Sequence, residues 1–104
     1  MLRFEWDASN TNHLARHGVT REEAEQVILN EPIDIEVQMH GGESRILQVG
    51  KTNPGRILMV VTTWREGRVR VVTGFPANKK LRKRYAIEKG KRDERGTAEK
   101  EIQE

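Results

Sequence analysis

Two histidines, His13 and His17, lie one helical turn apart in the stretch Asn12-His13-Leu14-Ala15-Arg16-His17-Gly18. An imidazole titrates near neutral pH, so either ring could move a proton during catalysis. Further along, Arg68 and Arg70 alternate with Val69 and Val71. On a strand that alternation projects both guanidinium groups from one face. Arg65 stands in the preceding turn, and Arg45 on another strand-like run. A planar guanidinium grips phosphate oxygens with two donors and stays charged at every step of a reaction. Imidazoles beside such cations suit proton transfer next to a bound phosphate. A structural account competes with this: His17 near a helix C-terminus interacts favourably with the helix dipole, and strand arginines can simply solvate an exposed face. A zinc site is a weak candidate, because the HxxxH spacing lacks both a third ligand and the glutamate of the metalloprotease helix. No metal is assigned.

These groups need elements to hold them. Leu2 to Trp6 alternates apolar and charged residues, the period of a strand with one buried face. Asp7 then reads as the N-cap of a helix from about Ala8 to His17, closed by Gly18 in the left-handed conformation. Asn10, His13, Leu14 and His17 fall on one side of that helix. Thr20-Arg21-Glu22-Glu23 matches a capping box and opens a second helix with Ala24, Val27 and Ile28 as its buried stripe; Asn30 and Pro32 end it.

Ile33, Ile35 and Val37 alternate with Asp34 and Glu36, as a strand does, and His40-Gly41-Gly42 turns the chain. Strand-like runs follow at 44–51, 56–63 and 68–73, with connections short enough for antiparallel hairpins. The run Ile57 to Val61 is apolar without alternation, which predicts a central strand covered on both faces. A last helix begins near Asn78, with Ala77, Leu81 and Tyr85 as a narrow apolar stripe among Lys79, Lys80, Arg82, Lys83 and Arg84. The order β-α-α-β-β-β-β-α predicts an α+β fold, two N-terminal helices on one face of an antiparallel sheet. Residues 1–90 form a single domain in this reading, and the charged tail 91–104 is expected to be disordered or marginally helical.

The chain has 104 residues and 35% hydrophobic content, enough for one modest core. It has no cysteine, which excludes disulfides and thiol nucleophiles. No run approaches the length of a membrane span and the start lacks the order of a signal peptide, so the expectation is a cytoplasmic protein. The net charge of +3 conceals an acidic front, residues 1–40, and a strongly basic remainder suited to phosphates.

Phe4-Glu5-Trp6-Asp7, Asn10, His13 to Val19, the Glu22-Glu23 helix, Gly55-Arg56 before an apolar strand, Arg68 to Thr73 and the basic stretch ending Arg84-Tyr85 together resemble the BrnT family of type II toxins. The likeness covers about residues 3 to 85. It implies a RelE-like fold, cleavage of RNA without metal or cofactor, arrest of translation, and a BrnA-like ribbon-helix-helix antitoxin forming a 2:2 heterotetramer. Carried over by position, His17, Arg65 and Arg70 occupy the family's functional sites. If the chain is active, the expected mechanism has His17 transfer protons with help from His13, Arg65 and Arg70 stabilise charge, and Arg45, Arg68, Lys79, Lys80, Lys83, Arg84 and Tyr85 contact RNA. The chain departs from the family pattern at Gly74-Phe75, where an Ala-Arg pair is usual, and at Leu81, where an acidic residue is usual. Those departures support an alternative: a toxin-like binding module that keeps antitoxin and RNA binding without turnover.

Overall fold

In a computed structural model of the chain, the backbone is described for residues 1–103 and side chains for residues 1–92. The elements are β1 (Phe4–Glu5), α1 (Ala8–Ala15), α2 (Arg21–Leu29), β2 (Ile33–His40), β3 (Glu43–Lys51), β4 (Ile57–Arg65), β5 (Arg68–Pro76) and α3 (Lys79–Gln103). Of the tail expected to be disordered or marginally helical, the backbone to Gln103 belongs to α3, and the side chains beyond Arg92 lie outside the described residues. No helix among them is long and apolar enough to cross a membrane.

Local chemistry sets the helix ends. Asp7 caps α1, accepting from the Asn10 amide while the Asn10 side chain accepts from the Asp7 amide. Thr20 and Glu23 form the same reciprocal cap on α2. Two unpaired helical amides are satisfied at each start, so both boundaries are sharp. Helix α1 is shorter than the sequence suggested. It ends at Ala15, and the amides of His17 and Val19 both turn back to the Leu14 carbonyl around Gly18, whose φ is +69°.

The five strands lie in the order β1-β5-β4-β3-β2, with β4 central. Strands β2 to β5 form an antiparallel meander, but β1 pairs parallel with β5, Phe4 beside Val69 and Glu5 beside Arg70. The sheet is therefore mixed rather than wholly antiparallel. After β1 the chain passes through both helices before it enters β2 at the far edge, so the returning meander brings β5 alongside β1 in the same direction. Two register shifts matter below: Ile35 is the extra residue of a bulge in β2, and Val72 the extra residue of one in β5.

Two apolar clusters occupy the two sides of β4. Leu58 and Val60 join Val71 and the buried residues Leu14, Val19, Ala24 and Val27 of the α1–α2 segment. Met59 faces the other way and joins Ile33, Val49, Ala77 and Tyr85, with Phe75 and Leu81 packed against them. Successive strand residues alternate in direction, so the residues between these anchors can be assigned to a face by register. Both clusters sit toward the same end of the sheet, and the end bearing the β2–β3 and β4–β5 turns extends beyond them.

Candidate functional site: an arginine-bearing sheet face

Both hairpins at this open end close through two residues with positive φ: Gly41 (57°) and Gly42 (80°) in one, Glu66 (51°) and Gly67 (76°) in the other. That is the signature of turns whose twist matches the strands they join. The closing pairs are His40 with Glu43 and Arg65 with Arg68. Continuing the register of β3 on β4 sets Glu43 opposite Arg65 and Arg45 opposite Thr63, so these residues form two adjacent rows. One row reads His40, Glu43, Arg65, Arg68; the next reads Gln38, Arg45, Thr63, Arg70, Glu5. Both rows belong to the face of the sheet that carries Met59 and α3 at its other end.

Side-chain contacts agree with the rows. Glu43 accepts from Arg65 Nε at 3.2 Å and lies 3.7 Å from Arg45 Nε. The hydrogen bond from Arg65, opposed by partial desolvation, holds the Glu43 carboxyl below the usual carboxylate range. Arg70 is 9% exposed. Its Nη1 donates to Glu5 Oε1 and Asp7 Oδ2, both at 2.9 Å, and its Nη2 donates to Asp7 Oδ1 at 3.3 Å. Asp7 is held low chiefly by that bond from Arg70. Arg70 thus ties the parallel β1–β5 pair to the cap of α1. Arg68 is exposed, and Arg65 projects into solvent beyond its contact with Glu43.

The histidines of α1 lie elsewhere. His13 and His17 are exposed, with ring centroids 6.4 Å apart and nearly parallel, and the His17 ring meets Phe75 edge-on at 5.9 Å. Phe75 is five residues past Arg70 on β5, roughly 16 Å along a strand. None of the contacts found for His17 involves Arg65 or Arg70. Asn10 leaves the histidines too. It is buried, donating to the carbonyls of Glu5 and Val71, and serves the α1–β5 junction. Among the described residues no group of three or more His, Cys, Asp or Glu is placed to hold a metal ion.

Lys79, Lys80, Lys83 and Arg84 are exposed on the first turns of α3, which Asn78 caps through the Leu81 amide. Tyr85 is 7% exposed and belongs to the core under α3, not to the surface that its proposed contact with RNA requires. Phe75 and Leu81, the departures from the family pattern, pack against the same cluster and help to seat α3 on the sheet.

Two residues that the sequence did not single out belong to this face. Glu43 holds both Arg45 and Arg65, and His40 is the imidazole in the arginine rows. A signal was present: both flank Gly41-Gly42, and a two-residue turn pairs the residues on either side of it.

A model of the ribonuclease toxin, BrnT, of type II toxin-antitoxin systems matches residues 6–80. The chain belongs to the BrnT toxin family. No curated protein matches it. The match spans α1, the capped α2, the whole meander and the start of α3, so every residue of the arginine rows except Glu5 lies within the BrnT region. Membership in a toxin-antitoxin family also implies an antitoxin that binds this chain.

Proposed function

We propose that this BrnT-family chain, with a RelE-like arrangement of sheet and helices, cleaves RNA in the cytoplasm without metal or cofactor and so inhibits translation. The observation that carries the reading is the convergence of Arg45, Arg65, Arg68 and Arg70 with Glu43 and His40 on one sheet face. In the proposed reaction a ribose 2′-oxygen attacks the adjacent phosphorus as its proton passes to a base. The bond from phosphorus to the 5′-oxygen breaks, and an acid protonates that oxygen, leaving a cyclic phosphate and a 5′-hydroxyl. Arg65 and Arg68 are free enough to bind the phosphate oxygens, where fixed cations stabilise the charge that develops in the transition state. Arg70 holds the strand that carries them.

Proton transfer has two proposed homes. For a phosphate held in the arginine rows, His40 is the acid and Glu43 the carboxylate beside it. For one held at the other end of β5, His17 transfers the proton, as the family resemblance implies, and the neighbouring His13 assists it. The rows favour His40, because only there do an imidazole and the arginines share a face. Lys79, Lys80, Lys83 and Arg84 would then follow the RNA backbone, making binding weaken with added salt.

The partner proposed is a BrnA-like ribbon-helix-helix antitoxin whose own dimer binds two toxins, a 2:2 assembly. The alternative of a binding module without turnover gains support from Arg70, whose guanidinium is engaged by two carboxylates. The test is cleavage of a defined single-stranded RNA by purified protein in EDTA. Arg65→Ala and His40→Ala should each slow it at least about tenfold. Loss with His17→Ala but not His40→Ala would move the reaction to the α1 histidines. Metal-dependent cleavage overturns the mechanism, and absence of cleavage with RNA binding intact supports the module.

A further inference from the structure

The reverse of the arginine face is apolar and bare. In β2 the bulge at Ile35 changes which side the strand presents: Ile33 and Ile35 pack under α3, whereas Val37 pairs with Ile46 and Met39 with Ser44 on the opposite face. Trp64 belongs to that face as well, because β4 alternates regularly from Leu58 and Val60 through Thr62. Val37, Met39 and Trp64 are 62%, 69% and 57% exposed. Helices α1 and α2 cover only the Leu58–Val60 half of this face, leaving these side chains uncovered. Met39, Ser44 and Trp64 form one row across three strands. The outer two stand roughly 10 Å apart, with only the small Ser44 between them. A hollow of about 490 Å³ opens beside Trp64 at the β2–β3 turn, lined by Gly42, Ser44, Ile46 and Trp64 and also by Glu43 and Thr63 of the arginine rows. A bulge that turns large apolar side chains toward water carries a cost, which a partner covering them removes.

We propose that this face, Val37, Met39, Ile46 and Trp64, is the antitoxin's docking surface. The occupant is an antitoxin segment with an apolar anchor in the hollow over Ser44, followed by acidic residues that pass around the hairpin ends. The charge layout argues for this occupant. One sheet thickness behind the apolar patch lie Arg65 and Arg68, and among the described residues the exposed large apolar side chains of β2 to β5 are Val37, Met39 and Trp64, all on the patch side. A single segment of that composition covers both faces and shields the arginines from RNA. The inference rests on membership in a toxin-antitoxin family but not on the cleavage mechanism.

The test uses the full chain and the protein encoded by the reading frame adjoining its gene. The chain has two tryptophans, so in the Trp6→Phe variant emission reports Trp64 alone. Antitoxin binding should shift that emission to the blue and protect it from a soluble quencher. Met39→Ala with Trp64→Ala should weaken binding at least about 30-fold, as loss of a central aromatic anchor does. That variant should keep the wild-type melting temperature and RNA cleavage without antitoxin. Leu29→Ala with Ile87→Ala, which removes exposed apolar groups elsewhere, should leave affinity unchanged. Affinity of the Met39/Trp64 variant within threefold of wild type, with Trp64 still open to quencher in the complex, overturns the proposal. So does an isolated chain that dimerises through the patch while its antitoxin affinity ignores it, since a second copy is then the occupant. Failure of wild type to bind the adjoining protein at all overturns the partner assignment itself, whereas failure of RNA cleavage alone leaves the docking result standing.

Discussion

Arg70 Nη1 lies 2.9 Å from Asp7 Oδ2, which joins a strand residue to the cap of a helix 63 positions earlier in the chain. The same nitrogen reaches Glu5 at 2.9 Å. Removing the guanidinium leaves two carboxylates facing each other beside a nearly buried site. Arg70→Ala should therefore lower stability by about 1–3 kcal/mol, discounted for the solvent open to Asp7. Urea denaturation measures this, and a change below a few tenths of a kcal/mol would refute the anchoring role.

Arg65 provides the contrast. Its contact with Glu43 at 3.2 Å is half open to water, so Arg65→Ala should cost less than about 1 kcal/mol of stability. The same change should slow RNA cleavage at least about tenfold if this face does the chemistry. Parallel melts and cleavage assays separate a stabilising arginine from a working one.

Asn10 should behave as a structural residue despite its place on the histidine helix. Its buried amide nitrogen serves the carbonyls of Glu5 and Val71, and its oxygen accepts from Asp7. Asn10→Ala leaves buried carbonyls without a donor and should cost about 1–3 kcal/mol. Asn10→Asp should fare no better, since it replaces the donor with an acceptor. A melting temperature unchanged in both variants would contradict the assignment.

Acid should loosen the fold in a defined direction. Asp7, Glu23 and Glu43 all have folded-state pKa values below the ordinary range, Asp7 and Glu43 mainly through Arg70 and Arg65, and Glu23 through Thr20 and Arg56 against an opposing burial effect. A depressed carboxylate pKa contributes stability that is fully present above its unfolded value and lost as pH falls through the folded value. Stability from these groups should thus be flat above roughly pH 5 and fall below roughly pH 4. In Arg70→Gln the part due to Asp7 should disappear. Thermal melts from pH 3 to 7 check both statements, and an unchanged acid limb in Arg70→Gln would argue against the coupling.

Short-range chemistry made much of this chain readable in advance. Asp7, Thr20 and Glu23 cap their helices because hydroxyl and carboxylate groups reach amides three residues away, and Gly18 closes α1 because a left-handed backbone suits glycine. The apolar run from Ile57 marks the central strand, and alternation places Arg68 with Arg70. Each inference spans only a few residues, a distance over which the local backbone decides. Other features required the closed sheet. Ile33, Ile35 and Val37 alternate as one apolar side in sequence, but a single inserted residue in the register sends Val37 and Met39 to the opposite face. The parallel pairing of β1 with β5, the clasp of Arg70 on Asp7 and Glu5, and the gathering of His40 and Glu43 with Arg65 each join segments far apart in the chain. Such partners are chosen by which strands become neighbours, a competition among long-range pairings that no local pattern records. The sequence alone determined which chemical groups were available; tertiary register decided that His40 lies with the arginines and His17 at the other end of β5.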